Sequence, residues 1–322
     1  MDLTMALSCA ILDDYQHVAL TMADWSPLAG KIEITTFDRH LGEAANVVRA
    51  LADFDIICAM RERTPFPRAV LEQLPKLKLL LTSSIHNASI DTVAAKDRGI
   101  VVCGTRSSGG STAALAIGLM LELTRKIGFE NARLKAGEPW QVTVGLDTEG
   151  LTLGIVGLGR LGSQVARIAK TLGMTVNAWS QNLTPERCAE QGVGYRSKEE
   201  LFATSDVISV HLTLSDRTRG IIGRDEIARM KPSAYLINTA RGPLVDEAAL
   251  LEALQQKRIA GAALDTYSVE PLPVDHPFRK LENAVLTPHL GYVTEQAYRR
   301  FYGDMVEDIT AWLAGTPVRV IT

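Results

Sequence analysis

Residues 151–180 read LTLGIVGLGRLGSQVARIAKTLGMTVNAWS, and the architecture of the chain can be worked out from them. An apolar run leads into Gly157-x-Gly159-x-x-Gly162, and a helical pattern and a second apolar run follow. This order predicts a strand, a glycine turn, a helix and a parallel strand. Gly157 permits the tight turn, Gly159 lets the backbone approach a pyrophosphate, and Gly162 lets helix and strand pack closely. Free N–H groups at a helix start suit phosphates, so the segment predicts a dinucleotide site.

Short apolar runs alternate with helical patterns along most of the chain. Strands are predicted at 8–12, 55–60, 78–82, 100–103, 151–156, 175–179, 207–211, 234–238, 261–264 and 285–286. Helices are predicted at 42–51, 67–74, 90–96, 111–136, 162–172, 246–257 and 295–313. The alternation indicates an α/β protein with two doubly wound parallel sheets. The last helix follows the second sheet and is expected to return to the first domain.

The composition is that of a globular protein. The 322 residues, of which 46% are hydrophobic and 22% charged, suggest two domains. The net charge of −3 gives no electrostatic reason to expect nucleic-acid binding. No apolar run approaches the roughly 20 residues of a membrane helix, and the four cysteines lack the spacing of a metal or disulfide framework. We therefore expect a cytoplasmic protein without a membrane span or a metal site.

The residues after the second strand bear on the choice of cofactor. An NAD site usually carries Asp or Glu about 20 residues after the first glycine, where it binds the ribose 2′-hydroxyl. This chain has Ser180, Gln181 and Asn182 there, and Arg160 and Arg187 are the nearest candidates in sequence for a 2′-phosphate. The sequence therefore favours NADP slightly and leaves NAD open.

Three polar residues follow apolar stretches in the second half of the chain: Arg241, Glu270 and His289. Because ligands bind where the carboxyl ends of parallel strands meet, these side chains are expected in one cleft. Arginine binds carboxylates, histidine carries a proton near neutral pH, and a carboxylate orients the ring. The three together suit hydride transfer to a carbonyl beside a carboxylate, although each residue alone is more often structural.

At these residues the sequence resembles the D-isomer-specific 2-hydroxyacid dehydrogenases. The likeness rests on VGLGRLG at 156–162, INTARGPLVDEAALLEAL at 237–254, LDTYSVEPLP at 264–273 and TPHLGYVT at 287–294. It implies a Rossmann cofactor domain, residues 105–291, inserted into a flavodoxin-like substrate domain, residues 1–104 and 292–322. The family includes glyoxylate and hydroxypyruvate reductases and phosphoglycerate dehydrogenases, and the likeness implies a homodimer formed through the cofactor domain and its long helix.

The resemblance also implies a role for each site residue. Arg241 would bind the 2-oxo acid, His289 would exchange the proton, and Glu270 would hydrogen-bond His289 and favour its charged form. The residues expected to contact the cofactor are Gly157, Gly159, Arg160, Leu161, Gly162, Ser180, Gln181, Asn182, Thr239, Ala240 and Asp265, the last at the nicotinamide carboxamide. The substrate loop would be Ser84, Ile85 and His86, where Ser84 replaces a glycine and His86 stands where relatives often carry arginine.

The sequence thus predicts an NAD(P)-dependent oxidoreductase that interconverts a small 2-oxo acid and a D-2-hydroxy acid. Glyoxylate and hydroxypyruvate are the favoured substrates. One alternative is a dinucleotide-sensing, corepressor-like binding protein with little turnover. Another is a homologue whose pocket no longer closes, and Ser84 supports that interpretation. The intact set of Arg241, Glu270 and His289 favours the enzyme.

Overall fold

The computed structural model describes residues 6–107 and 109–321. These residues divide into two compact units. One unit comprises the described residues up to Gly109 and those from Val293 onward, and the other is Gly110–Tyr292. The chain therefore passes from one unit to the other twice, after Gly109 and after Tyr292, so the second unit is inserted in the sequence of the first. In the described part of the chain, no helix is both long enough and apolar enough to cross a membrane.

The described residues form the following elements. The strands are β1 (Leu7–Ile11), β2 (Ile32–Thr36), β3 (Ile56–Ala59), β4 (Leu79–Thr82), β5 (Val101–Gly104), β6 (Thr152–Val156), β7 (Thr175–Trp179), β8 (Gly194–Tyr195), β9 (Val207–Val210), β10 (Tyr235–Asn238), β11 (Gly261–Leu264) and β12 (Ala284–Leu286). The helices are α1 (Ala44–Leu51), α2 (Arg68–Leu71), α3 (Thr92–Asp97), α4 (Ser111–Arg125), α5 (Ile127–Lys135), α6 (Arg160–Thr171), α7 (Pro185–Glu190), α8 (Lys198–Thr204), α9 (Arg224–Arg229), α10 (Glu247–Gln255) and α11 (Glu295–Leu313). Short 3₁₀ turns lie at Ser26–Leu28, Gly242–Leu244 and Pro277–Lys280.

The unit made of both ends contains a parallel sheet, which over the described residues has the order β2-β1-β3-β4-β5. Strands β3 and β4 are buried throughout, as expected for parallel strands covered on both faces. The last residues add an antiparallel edge to β5, since the Ile321 amide donates to the Val102 carbonyl. Strand β2 was not predicted. Its sequence, IEITT, alternates apolar and polar side chains because it is a half-exposed edge strand.

The central unit contains a second parallel sheet, with the order β12-β11-β10-β9-β6-β7-β8 over the described residues. Apolar clusters line this sheet, and helices α4 and α6 pack together in one of them. Strands β10, β11 and β12 are neighbours, so the loops that follow them leave the sheet side by side. The prediction of two parallel-sheet α/β units is confirmed.

The single helix predicted over 111–136 is wrong, because the chain breaks at Lys126. Lys126 has a φ of +55°, in the left-handed region, which ends α4 and starts α5 at a new angle. The Glu122 carboxylate holds the break by accepting from the Gly128 amide at 2.8 and 2.9 Å. The break has no Gly or Pro at its centre, so the sequence carries no local signal for it.

Candidate active site

The loop after β6 has the geometry of a dinucleotide site. Gly157 has a φ of +102°, and a Cβ there would lie 2.9 Å from the His211 carbonyl carbon. A Cβ on Gly162 would overlap the Gly157 carbonyl oxygen. At Gly159, by contrast, a Cβ would meet no protein atom within 4 Å. The protein therefore leaves open space at Gly159, where a bound pyrophosphate would approach the backbone.

Two further observations fit a dinucleotide at this edge of the sheet. Helix α6 begins at Arg160 without a side-chain N-cap, so its first N–H groups and positive dipole end suit phosphate oxygens. The Thr239 hydroxyl, in the loop after β10, is buried and has no hydrogen-bond partner within the described residues. A buried hydroxyl without a partner is unfavourable, and a bound ligand with polar groups would supply one.

The loop after β7 contains Ser180 and Gln181, the residues predicted to bear on the choice between NAD and NADP. Ser180 is half-buried, and Gln181 donates from Nε2 to the Arg217 carbonyl at 3.1 Å. Arg196 follows β8, and its amide donates to the Ala178 carbonyl of the neighbouring β7. Arg196 and Arg217 were not among the predicted residues, because a two-residue strand and a contact between distant loops leave no local pattern in the sequence.

The turn after β10 presents Arg241. The buried Asn238 side chain accepts from the Ala240 amide at 3.0 Å and donates to the Arg241 carbonyl at 2.9 Å. These two bonds close a tight turn and fix the backbone at Arg241. The Arg241 guanidinium donates to the Ala240 carbonyl at 2.8 Å. Asn238 was not among the predicted site residues, and its role is to position the arginine.

Glu270 and His289 form a direct pair. Their Oε2 and Nδ1 atoms are 2.6 Å apart, and the second carboxylate oxygen accepts from the Tyr267 amide at 3.0 Å. The His289 side chain is only 13% exposed, and the Tyr292 ring stands edge-on to it. His289 has a φ of +54°, an unusual backbone conformation of the kind that clusters at functional sites. With Nδ1 donating to Glu270, Nε2 is the ring nitrogen that can exchange a proton.

Asp265 organises the loop that carries His289. Its Oδ1 accepts from the Thr287 hydroxyl and the Leu290 amide, both at 2.6 Å, and its Oδ2 accepts from the Gly291 amide at 2.9 Å. Burial raises the pKa of this carboxyl, while the donors and the nearby His289 partly offset that rise. The predicted contact of Asp265 with the nicotinamide stays a prediction. The contacts present in the structure make Asp265 a positioning residue for His289.

The predicted substrate loop lies after β4, in the other unit. Ser84 has a φ of +94°, so the serine adopts a backbone conformation that favours glycine. Its amide donates to the Thr105 hydroxyl at 2.9 Å. Ile85 and His86 are exposed. Asn87, which was not predicted, fastens this loop by donating to the Arg61 carbonyl at 2.6 Å.

Known proteins resemble this chain in sequence and in fold. The family model described as D-isomer specific 2-hydroxyacid dehydrogenase, NAD binding domain, matches residues 117–291. The chain belongs to the D-isomer-specific 2-hydroxyacid dehydrogenase family. This family member is 31% identical to a hydroxypyruvate reductase of Blautia hydrogenotrophica, over 92% of this chain and 94% of that protein. It is 37% identical to a D-3-phosphoglycerate dehydrogenase of Archaeoglobus fulgidus, over 85% of this chain but 52% of that protein.

A solved structure shows the same fold. The crystal structure of a phosphoglycerate oxidoreductase from Vibrio cholerae matches 96% of this chain and 99% of its own, with a TM-score of 0.91 and 32% identity. The dehydrogenase spans about half the length of the phosphoglycerate dehydrogenases it matches. The predictions of the family and of a domain that binds a nicotinamide dinucleotide are confirmed.

Proposed function

We propose that this dehydrogenase reduces a small 2-oxo acid to the D-2-hydroxy acid, and catalyses the reverse oxidation. The observation that carries the proposal is the 2.6 Å pair of Glu270 and His289, which lies beside the turn that presents Arg241. A nicotinamide dinucleotide, when bound, supplies the hydride that adds to the carbonyl carbon. The protein then has to bind the acid, supply one proton and keep the reacting atoms in line.

Three side chains divide these tasks. Arg241 binds the substrate carboxylate through its planar fork of N–H donors. His289 gives the proton on Nε2 to the carbonyl oxygen as that oxygen becomes a hydroxyl, and takes it back in the oxidation. Glu270 accepts the hydrogen bond from Nδ1 and so fixes the orientation of the ring. The loop of Ser84, Ile85 and His86 is proposed to contact the substrate.

Hydroxypyruvate and glyoxylate are the proposed substrates. The hydroxypyruvate reductase of Blautia hydrogenotrophica matches over nearly its whole length, whereas the phosphoglycerate dehydrogenase match covers about half. Both proposed substrates place a carbonyl beside a carboxylate, which is the arrangement that Arg241 and His289 can bind and protonate.

We also propose that NADP is preferred to NAD. Ser180 leaves no carboxylate to repel a 2′-phosphate. Arg217 and Arg196 flank the loop of Ser180 and Gln181, and both are exposed. Neither forms an ion pair with a carboxylate in the part of the chain that the structure describes. Arg187, in contrast, is occupied by Glu190 at 2.7 Å. Two arginines are thus available for the 2′-phosphate.

A homodimer is the proposed assembly. The segment after α5 holds Trp140, Val142 and Val144 at 76%, 57% and 98% exposure. Its fixed point is Thr143, whose hydroxyl and amide both donate to Glu130. Contiguous exposed apolar side chains mark an interaction surface, and a second copy would cover them. We expect a mass of two chains in light scattering, and of one chain after Trp140→Ser with Val144→Ser.

We place the protein in the cytoplasm as part of the same proposal. All four cysteines are unpaired and buried, which suits a reducing compartment.

Absorbance at 340 nm tests the activity. Purified protein with NADPH and either glyoxylate or hydroxypyruvate should consume NADPH. His289→Ala should lower kcat by about 10²–10⁴-fold, the contribution of a positioned general acid. The matched control is His276→Ala, since His276 also pairs with a glutamate, Glu247, at 3.2 Å but lies outside the proposed chemistry. Unchanged turnover in His289→Ala would refute the site assignment. Dinucleotide binding without turnover on either acid would instead favour a dinucleotide sensor.

The same assay tests the cofactor preference. Arg217→Glu should lower kcat/KM for NADPH by about tenfold or more, since a like charge replaces a hydrogen-bonded opposite charge. Activity with NADH should change little. Arg187→Glu is the matched control. Equal losses with both cofactors would reject the proposed role of Arg217.

A further inference from the structure

A second concave site lies in the central unit, at the opposite edge of its sheet from the active-site loops. The cavity has a volume of about 450 Å³ and is bordered by residues that precede strands. Pro232 precedes β10, Ile259 and Ala260 precede β11, and Asn283 precedes β12. Arg241 and His289 follow the other ends of the same strands. The cavity therefore shares no residue with the proposed catalytic site.

Three lysines border this cavity: Lys126, Lys257 and Lys280. Within the described residues, none of their ammonium groups forms an ion pair with a carboxylate. Lys126 is half-buried, and its Nζ lies 5.5 Å from the centre of the Tyr235 ring. Among the described residues of the lining, Glu282 is the one acidic side chain, so the formal charge around the cavity is +2.

Two of these lysines have a backbone conformation that favours glycine. Lys126 follows α4 with a φ of +55°, and Lys257 comes just after α10 with a φ of +53°. Each side chain in that region costs free energy that a glycine would not. Strained residues of this kind occur at ligand clamps. Two residues with this conformation border the cavity.

The rest of the lining is largely apolar. Leu254, Ile259 and Leu281 contribute aliphatic side chains, and Ile259 is almost fully buried. We propose that this cavity binds a small dianion with a short apolar group, of the kind found in alkyl and aryl phosphate monoesters. The lysines would bind the phosphate, the aliphatic side chains would cover the apolar part, and the volume is within the range of small-molecule sites.

Isothermal titration of the full-length protein with phenyl phosphate and with inorganic phosphate tests this proposal. Phenyl phosphate should bind about tenfold more tightly, because only its ring can cover the aliphatic side chains. The double variant Lys257→Gln with Lys280→Gln should weaken phenyl phosphate binding by about tenfold or more, since two charge-assisted contacts are lost. Phenyl phosphate that binds at the glycine loop after β6 would still bind to the double variant. The double variant therefore measures the binding that does not depend on the cavity.

Lys96→Gln, an exposed lysine of the other unit, is the matched control and should bind like the wild type. Lys257→Gly tests the backbone conformation and the ammonium group together, through the melting temperature and the affinity for phenyl phosphate. It should raise the melting temperature by relieving the backbone and should weaken phenyl phosphate binding at the same time. Equal affinity for the two phosphates, or unchanged affinity in the double variant, would overturn the proposal.

Discussion

Two fully buried aspartates, one in each unit, have different surroundings. Asp265 lies after β11, and the structure gives three hydrogen bonds to its two oxygens, all from the loop that carries His289. Asp308 lies in α11, and its Oδ1 accepts from Arg319 at 3.0 Å. Its Oδ2 is buried and has no hydrogen-bond partner within the described residues. Burial raises the pKa of both carboxyls.

The surroundings of Asp308 are crowded with other charges. Arg319 also bonds Glu307 and the Asp304 carbonyl, and so ties the C-terminal residues to α11. Burial raises the pKa of Asp308 to about 7, Arg319 lowers it, and Asp304 and Glu307 raise it. The charge of the same carboxylate contributes to the raised pKa of the buried thiols of Cys58, in β3, and Cys103, in β5. Burial alone therefore does not define a role, because Asp265 holds the loop of His289 and Asp308 holds the C-terminal residues through Arg319.

The largest effect is expected from Asp265→Asn. The amide keeps the shape but loses the charge and one acceptor, so the His289 loop should lose its fixed position. We expect kcat to fall by about 10²-fold, comparable to the loss of one preorganised polar group. Steady-state kinetics at 340 nm gives the measurement. Asp225→Asn, an exposed aspartate of the same unit, is the control. A kcat within twofold of the wild type would show that Asp265 does not position His289.

Arg319→Gln tests the other aspartate through its partner. It leaves Asp308 without its cation, and at pH 8, above the folded pKa of about 7, breaking a buried ion pair costs about 3 kcal/mol of unfolding free energy. Urea unfolding should show that loss, while kcat stays unchanged at temperatures where the variant is folded. Arg299→Gln removes an exposed pair with Glu295, both more than half exposed, and should cost less than about 0.5 kcal/mol. Equal losses in the two variants would mean that Arg319 acts as a surface residue.

Asp308→Asn should change the pH dependence of stability. The folded pKa of about 7 lies above the ordinary 3.8, so the charged carboxylate destabilises the fold. The stability contributed by the neutral, protonated carboxyl is fully present below pH 3.8 and is lost as the pH rises from 3.8 through 7. Between pH 5.5 and 8 the wild type should lose about 2 kcal/mol relative to Asp308→Asn. Melts of both proteins across this window give the difference. A constant gap would contradict the raised pKa.

The smallest effect is expected from Thr287→Val. It removes one of the bonds to Asp265 and leaves the others, so unfolding free energy should fall by about 1 kcal/mol. We expect kcat to fall severalfold with little change in the KM of the acid. Thr310→Val is the matched control, since its hydroxyl bonds only the Val306 carbonyl within α11. A similar fall in kcat in both variants would locate the effect outside the Asp265 network.

Local patterns were enough to predict most of the fold. Strands β7 and β11 and helix α11 lie at the predicted bounds, because each combines an apolar pattern with clear ends. The break at Lys126 could not be predicted, since it depends on the Glu122 carboxylate meeting the Gly128 amide rather than on a helix-breaking residue. The edge strand β2 was missed because its exposed face interrupts the apolar run.

The candidate site divides in the same way. Arg241, Glu270 and His289 could be named because polar residues after buried strands meet at one edge. Asn238 and Asn87 could not, since their function depends on which backbone carbonyl each reaches. Arg217 lies 37 residues after Ser180, and only the folded chain brings its loop against Gln181. Contacts between distant loops are the part that sequence patterns leave undetermined.

The open space at Gly159 has a consequence for how this chain can change over generations. Among the described residues, no protein atom lies within 4 Å of a Cβ built there, so selection for stability alone leaves that position free to accept alanine. Under selection for folding alone, residue 159 would therefore accumulate substitutions, which would weaken dinucleotide binding while the fold stays intact. Gly162 offers no such freedom, because a methyl group there would collide with the protein's own backbone. Gly162 is therefore required by the fold itself, whereas a glycine at 159 is required only if a ligand binds there.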